Sequence, residues 1–433
     1  AKTSFRRNRL GFCILHPTEC AGAKARVEHV DGTINEAVFP NVIAPQQIVD
    51  GIIKPVAPFD EMRVLSHEVM PGVWAELRME GDTFELEDQR NWLDASYKTY
   101  CTPLRLPFPV EVPAGTRIEQ TLTLRIRGAA AGDAAAVNEG VRLAYPAGVG
   151  RLPTLGIETP AQGEALSAAQ IDRLKALRLA HLRVSLDMGD DDWEAKLRRA
   201  HDEAAALGVP LEVALRLAAG SEAANLQAAA RALTSLNIAR VIVLHSAELT
   251  TSARWVRLAR EALPRVRIVS GTDANFCELN RERVALPDLA AAVDGLTFSA
   301  NPQVHAFDNS SLVETLMTFK ATADTLGALA GDTPRSISPI TFKMRSNPYA
   351  TAAPKPTPPG VLPLSVEVRQ MSLFGAAWTL GSIASLVASS IDSATLYETV
   401  CWRGVMDRDA GSREVARGFY SAPGVASERS CVV

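Results

Sequence analysis

The sequence predicts an α/β protein, a (β/α)8 TIM-type barrel preceded by a β-rich, sandwich-like N-terminal domain. Three observations predict it. From about residue 128 onward, apolar β-branched runs alternate with Ala/Leu/Arg-rich helical stretches. Eight such runs can be counted, and the first six recur about every 25 to 30 residues, the length of one βα unit in a barrel of ordinary size. No Gly-rich phosphate turn follows the first run, whereas the open doubly wound sheets that share this alternation usually carry one there. At 433 residues, with 47% hydrophobic and 22% charged side chains, the chain is too long for one small module and apolar enough to bury a full core.

The N-terminal region, residues 1–127, is read as β-rich and incomplete at its start. Its short runs FCILH, ARVEHV, AEL, FEL, VEV and RIEQTLTLRIR are separated by Pro and Gly clusters. TLTLRIR, residues 121–127, alternates apolar and polar positions as a half-buried strand should. GAAAGDAAAV then reads as a weakly structured linker, which puts a boundary near residue 128 and the barrel over 128–405. The predicted barrel strands are TLGIE (154–158), HLRVSL (181–186), PLEVAL (210–215), ARVIVLH (239–245), RIVSGT (267–272), GLTFSA (295–300), SISPITF (336–342) and SATLYET (393–399). The helical stretches AAQIDRLKALRL and DDWEAKLRRAHDEAAALG have i, i+3, i+4 apolar spacing, and the second stops on Gly208 just before Pro210. Met371 to Ile391 is uncharged for long enough to cross a bilayer of ~30 Å. Its Gly and Ser content, the lack of a flanking basic cluster and the lack of a second such segment make it a buried helix instead.

Forty-five Lys and Arg against 49 Asp and Glu leave a net charge of −4, so there is no sequence-wide footprint for nucleic acid or an anionic membrane. The expected partner is a small molecule. Six cysteines (Cys13, Cys20, Cys101, Cys277, Cys401, Cys431) lie far apart, without a C-x-x-C pair or metal-site spacing, and read as reduced thiols of a cytoplasmic protein. The opening AKTSFRRNRLGF has charge but no apolar export segment after it.

In a barrel the βα loops at the carboxyl ends of the strands form one open mouth, so chemistry is sought there. The predicted strands end in Glu158, Asp187, Arg216, His245, then Asp273 with Asn275 and Glu278, Asn301 with His305 and Asp308, Lys343 with Arg345 and Asn347, and Glu398 with Trp402 and Arg403. One polar strand end is only an exit to water. Eight in a row describe a ring of carboxylates, cations and amides suited to a polyhydroxylated ligand. Glu158 and Glu398 end the first and eighth strands, which are neighbours when the barrel closes. His305 stands in a Pro-interrupted polar loop with Asp308 as its expected orienting partner. Asp187 and Asp190 to Asp192 are expected to cap the helix that follows.

There is no G-x-S-x-G elbow, H-E-x-x-H, P-loop or G-x-G-x-x-G after a strand. A retaining glycosidase needs two carboxyl groups about 5 to 5.5 Å apart. In the large (β/α)8 glycosidase clan these come from strands four and seven, which here end in LHSAEL and TFKMRSN, with Glu248 available at the fourth and no carboxylate at the seventh. In the N-terminal region, Glu85, Glu87, Asp88, Arg90, Asp94 and Lys98 are interleaved with Phe84, Trp92, Tyr97 and Tyr100. That mixture suits either a sugar-binding face or an interdomain clamp in which Arg90, Asp94 and Lys98 pair against the barrel.

The segments RNRLGFCILHP, FELEDQRNWLDASYKTYCTPL, GTDANFCELNR, FSANPQVHAFDN and YETVCWRGVM resemble the D-apionate lactonase family, from about residue 6 to residue 406. The resemblance implies a β-rich N-terminal domain, a central barrel and a smaller C-terminal β domain. It also implies an enzyme that opens D-apionolactone to D-apionate in apiose catabolism, a carboxylic ester hydrolase. No catalytic assignment comes with it. Lactone opening needs a base for water and donors for the developing oxyanion. Glu398 or Glu158 is expected as base, with Lys343, His305 and Asn301 as donors. Asp273, Asn275 and Glu278 are expected to bind substrate hydroxyls, and Asp308, Asn347, Trp402 and Arg403 complete the expected substrate site. Glu85, Glu87, Asp88, Arg90 and Trp92 are expected at substrate or between domains. No cofactor is expected; a divalent metal held by carboxylates and His305 is the alternative way to polarise the carbonyl. The competing functions are a (β/α)8 glycoside hydrolase and a non-catalytic carbohydrate-binding relative. Residues 406–433, DRDAGSREVARGFYSAPGVASERSCVV after the Met, have little apolar periodicity and read as an atypical remnant where the family has its C-terminal β domain. The chain is therefore expected to be truncated at both ends.

Overall fold

The computed structural model describes residues 1–49, 51–128, 150–160, 165–345, 347–348, 358 and 361–406. The linker expected after residue 128 and the tail from residue 407 lie outside the described residues. The chain forms two compact units. One comprises Ala1–Asn91 and Ala95–Gly150, and the other takes in Trp92–Asp94 together with the chain from Arg151 onward.

In the first unit an antiparallel five-stranded sheet runs in the order Thr121–Arg127, Val73–Glu80, Met62–Met70, Lys24–His29, Ile34–Val38. A three-stranded sheet joins Cys13–Pro17, Ser96–Tyr100 and Glu85–Asp88. The period-2 pattern decides which side chains enter the core between them. Ala25 and Val27 alternate inward on one strand and Leu77 and Met79 on another, meeting Leu86 and Tyr97 of the smaller sheet around Phe39, Phe59 and Phe84. Thr121–Arg127 is a strand as predicted, but not a half-buried one along its length. It pairs on one side only, so Leu122 reaches the core while Leu124 and Ile126 stay 64% and 61% exposed.

The second unit is a closed eight-stranded parallel barrel. Its strands are β1 (Thr154–Glu158), β2 (His181–Asp187), β3 (Leu211–Leu217), β4 (Ile238–His245), β5 (Ile268–Gly271), β6 (Gly295–Ala300), β7 (Arg335–Ile340) and β8 (Ser393–Val400), with β1 hydrogen-bonded to β8. The helices are α1 (Ala168–Lys175), α2 (Trp193–Leu207), α3 (Glu222–Leu233), α4 (Ala253–Ala262), α5 (Phe276–Arg281), α6 (Leu286–Ala292), α7 (Asn309–Glu314), α8 (Thr318–Ala330) and α9 (Leu373–Val387). Local chemistry sets their ends. Ser167 and Gln170 form a reciprocal capping box at the start of α1, and α2 stops where Gly208 adopts a left-handed conformation at φ 75°. The aspartates before α2 act differently from expectation. Asp192 makes no side-chain cap bond, and Asp190 and Asp192 pair instead with Lys196, at 2.9 and 2.8 Å.

The uncharged stretch over 371–391 forms α9. It buries Trp378, Thr379, Ser382 and Leu386 on one face, but Leu373 and Leu380 on the other are 71% and 67% exposed, so it is an outer-layer helix and not a fully buried one. Among the described residues, no helix is long and apolar enough to cross a membrane.

The barrel interior departs from the usual filling of branched apolar side chains. On β2, Leu182, Val184 and Leu186 alternate with His181, Arg183 and Ser185; on β3, Leu211, Val213 and Leu215 alternate with Glu212, Ala214 and Arg216. The polar set of each strand lines the inside. Fully buried Glu212 accepts from Arg240 Nε at 2.5 Å and Thr395 Oγ1 at 3.0 Å, and also bonds Ser338 Oγ. His181 Nε2 bonds Thr395 Oγ1 at 2.8 Å. Gly156 of β1 is required beside this layer, because a Cβ there would lie 2.1 Å from His181 Nε2.

Candidate active site

Arg183, from the middle of β2, reaches toward the carboxyl ends of the strands and is the pivot there. Its side chain is wholly buried. Nη1 donates to Ser338 Oγ at 2.8 Å, Nη2 lies 3.3 Å from Asp273 Oδ1, and Nε lies 3.5 Å from Glu158 Oε1. Ser338 thereby connects Arg183 to Glu212 of the layer below. Asp273, which follows β5, gathers two more guanidinium groups: Arg216 Nη2, from the end of β3, at 2.8 Å, and Arg345 Nη2, from the loop after β7. Ser299 Oγ of β6 donates to the same carboxylate at 3.1 Å. Burial would push the Asp273 carboxyl up, but Arg345, Arg183 and Arg216 more than offset this and hold it at about 2. Asp273 therefore stays ionised at neutral pH and anchors the three guanidinium groups.

Glu158 accepts from Ser185 Oγ at 2.5 Å, and its other oxygen lies 3.5 Å from Arg345 Nη1. Glu398 pairs with Arg403 Nη2 at 2.8 Å. Asp273 and Glu158 lie against the Arg345 guanidinium, and with Glu398 they raise its pKa against the effect of burial.

Glu398 reaches this position through an irregularity in β8. Thr395 is registered with Gly156 and Glu398 with Glu158, so two residues of β8 stand opposite Ile157 alone. Thr395 points inward, onto Glu212. Strict alternation would then turn Tyr397 inward and Glu398 outward. The extra residue reverses the phase: Tyr397 takes φ 52° and places its hydroxyl 2.8 Å from Thr379 Oγ1 of α9, which leaves Glu398 facing the mouth. A tyrosine in the left-handed region is held there against its own preference, a feature that clusters at functional sites.

The other sequence-predicted residues are placed as follows. Lys343 Nζ lies 3.7 Å from Glu367 Oε2. Burial would raise the Glu367 carboxyl, but hydrogen bonds from Arg369 hold it at about 2, and Arg369 also donates to Gln303 Oε1 at 3.0 Å. The pairing of His305 with Asp308 is corrected. Asp308 caps α7 by accepting from Ser311 N at 3.0 Å, which, with the Ser311 hydroxyl, lowers its pKa. His305 Nδ1 instead meets Asp94 Oδ2 at 2.7 Å, and its ring packs edge-on against Trp92, both in the short segment counted with the barrel unit. Asn301 Nδ2 donates to Asn275 Oδ1 at 3.3 Å, and Glu278 is buried 3.6 Å from Arg281. Trp402 is buried next to Arg403, and Asn347 is exposed. Glu158, Asp273, Glu398 and Arg403 thus converge, while Lys343 and His305 are each engaged by a different carboxylate.

The clamp expected of Arg90 and Lys98 is also corrected, because both pair inside the N-terminal unit. Arg90 forms a two-point ion pair with Asp88, at 2.8 and 2.7 Å, donates to the carbonyls of Pro40 and Asn41, and stacks over the Tyr97 ring. Lys98 pairs with Glu87, and Glu85 accepts from Tyr100 Oη at 2.6 Å. Asp88 and Arg90 are buried, and Arg90 holds the Pro40–Asn41 turn.

Among the described residues, no three His, Cys, Asp or Glu side chains gather in a metal-holding group. The sequence reading did not name Arg183, and it named Arg216 as a strand end without giving it a role. The signal was present in β2, where His181, Arg183, Ser185 and Asp187 alternate with apolar residues, and in β3, where Glu212 and Arg216 lie on the same face with Ala214 between them.

Family models place the chain. The D-apionate lactonase TIM barrel domain matches residues 155–428, and the N-terminal domain of the same family matches residues 1–129. The chain belongs to the D-apionate lactonase family. A curated relative, the D-apionate lactonase of Brucella anthropi, is 35% identical over 419 residues, covering 91% of this chain. The chain spans 66% of that lactonase's own length. Among solved structures, a family 51 alpha-L-arabinofuranosidase from Bifidobacterium longum is 11% identical with a TM-score of 0.40, over 61% of this chain and 70% of its own. A family 39 glycoside hydrolase from Bacteroides cellulosilyticus WH2 is 7% identical with a TM-score of 0.39, over 89% and 74%. These two likenesses are too distant to carry any inference about chemistry. A mouth of interleaved guanidinium and carboxylate groups can supply oriented bases and donors for a developing oxyanion.

Proposed function

We propose that this chain hydrolyses the internal ester of a sugar-acid lactone, D-apionolactone, to D-apionate, as a step of apiose catabolism in the cytoplasm. The name of the Brucella anthropi relative supports the lactone, and Cys13, Cys20 and Cys101, which are free thiols, accord with the compartment. The observation that carries the chemistry is the β8 bulge, which turns Glu398 into the mouth beside Glu158 and Arg345.

Glu398, oriented by Arg403, takes a proton from water as the water oxygen attacks the lactone carbonyl carbon. The carbonyl oxygen gains negative charge and accepts from Arg345, whose guanidinium is fixed by Asp273 and Glu158. The C–O bond to the ring oxygen then breaks, the proton held by Glu398 passes to the leaving alkoxide, and a hydroxy acid remains. Glu158, already engaged by Ser185, Arg183 and Arg345, positions the guanidinium groups. His305 and Lys343, paired with Asp94 and Glu367, stay outside the proton transfers. Hydrolysis without a resident metal is part of the reading, and full activity after chelation is its expected outcome.

The test is proton release from D-apionolactone above spontaneous opening. Glu398→Gln should lower kcat by about 10²–10⁴-fold while the protein stays folded, the usual contribution of a positioned acid–base group. Unchanged turnover in that variant removes Glu398 from the mechanism. Release of reducing sugar from glycosides with no lactone opening overturns the reading as a whole.

A further inference from the structure

The hydrolysis proposed above gives no role to Arg216. Its side chain is 31% exposed, and among the described residues its one hydrogen bond is to Asp273 Oδ2, so most of the five donors of its guanidinium are left over. Arg345, 20% exposed, holds the other oxygen of the same carboxylate. These two arginines come from opposite walls of the barrel, one from the end of β3 and the other from the loop after β7, and they meet over Asp273. Arg183 closes the set from below, wholly buried.

Formal charge points the same way. Among the ion-paired groups around Asp273, three guanidinium groups (Arg183, Arg216, Arg345) stand against two carboxylates (Asp273, Glu158), an excess of one positive charge, while Asp187, registered beside Arg216, accepts from Gly189 N. A neutral cyclic ester does not need that charge, whereas an open-chain hydroxy acid does, because it carries a carboxylate at neutral pH. Two guanidinium groups side by side on a shared anchor suit such an anion by paired N–H to oxygen bonds.

We propose that Arg216 and Arg345 form a carboxylate subsite that binds the hydroxy-acid anion more tightly than a neutral molecule of the same skeleton. The proposal rests on the lactonase reading for its ligand class. When the ester opens, the carbonyl carbon beside Arg345 becomes the carboxylate carbon, and Arg216 supplies the second guanidinium. The opened product is then a competitive inhibitor, and its affinity falls with ionic strength.

Calorimetric titration tests this without relying on turnover. The protein is titrated at about pH 7 with the sodium salt of the acid obtained by alkaline opening of D-apionolactone. A parallel titration uses the neutral polyol made by reducing its carboxyl group. The expected result is at least about tenfold tighter binding of the anion, a preference lost in Arg216→Gln and partly kept in Arg216→Lys, with circular dichroism confirming the fold. Equal affinity of the wild-type protein for anion and polyol overturns the proposal even if Arg216→Gln does not fold, and so does an undiminished anion preference in a folded Arg216→Gln. An anion preference in a protein that opens no lactone removes the lactonase reading and leaves the subsite standing.

Discussion

Glu212→Gln probes the buried layer that supports the site. Glu212 is wholly inside the barrel. Burial would raise its pKa, but His181, Arg240 and Arg183, with the Ser338 hydrogen bond, hold it at about 2, so it is an anion at any neutral pH. Glutamine keeps an acceptor for Ser338 and Thr395, but it turns an amide N–H₂ toward Arg240 and leaves that guanidinium, 15% exposed, without its counter-charge. Breaking one side of a buried pair costs about 3–5 kcal/mol. The retained hydroxyl bonds put this case near about 3 kcal/mol, a large part of a total stability of about 5–15 kcal/mol. For a unit of this size that corresponds to a fall in Tm of about 6–12 °C. Differential scanning calorimetry at about pH 7 reads it. A double variant, Glu212→Met with Arg240→Met, removes both charges and should recover most of the loss. A fall of less than about 2 °C in Glu212→Gln, or a double variant no better than the single one, refutes the view that this pair is the charged keystone of the barrel interior.

Gly156→Ala forces a methyl group onto the His181 ring, which is buried and hydrogen-bonded to Thr395, and should cost at least about 1–3 kcal/mol in urea unfolding; a neutral result means the ring is free to move. In the N-terminal unit, Arg90→Ala strands the buried Asp88 carboxylate and frees the Pro40–Asn41 turn, an expected loss of about 3–5 kcal/mol, and limited proteolysis near residue 40 should report it. Burial lowers His16 and His181 from 6.5 to about 4. The unfolded chain therefore binds these protons first, and stability is full above about pH 6.5 and falls as the pH drops toward about 4. Denaturant unfolding followed across that range checks the sign, and a flat profile contradicts it. Acid loss attributable to Asp273, held at about 2, begins only below its unfolded value near 3.8.

The sequence by itself determined the architecture. Strands repeating at βα spacing must bury both faces, one against helices and one against the barrel interior, and Gly208 marks a helix end that the structure places there. It also put Glu158 and Glu398 on adjacent strand ends, because closure makes the first and last strands neighbours. Only the tertiary structure decided which way Glu398 points. Period-2 reasoning assigns faces, but one extra residue in β8 reverses the assignment, and a bulge arises from the register of two strands far apart in sequence. The partners of the charged groups were undecided for the same reason. His305 was expected to meet Asp308, three residues on, yet a local helix cap took that aspartate and Asp94, 211 positions away in sequence, took the histidine. Arg183, Arg216 and Arg345 looked like separate polar residues along the chain. They act on one carboxylate because the barrel brings β2, β3 and the β7 loop around the end of β5, where exclusion of water makes such pairing strong enough to fix their positions.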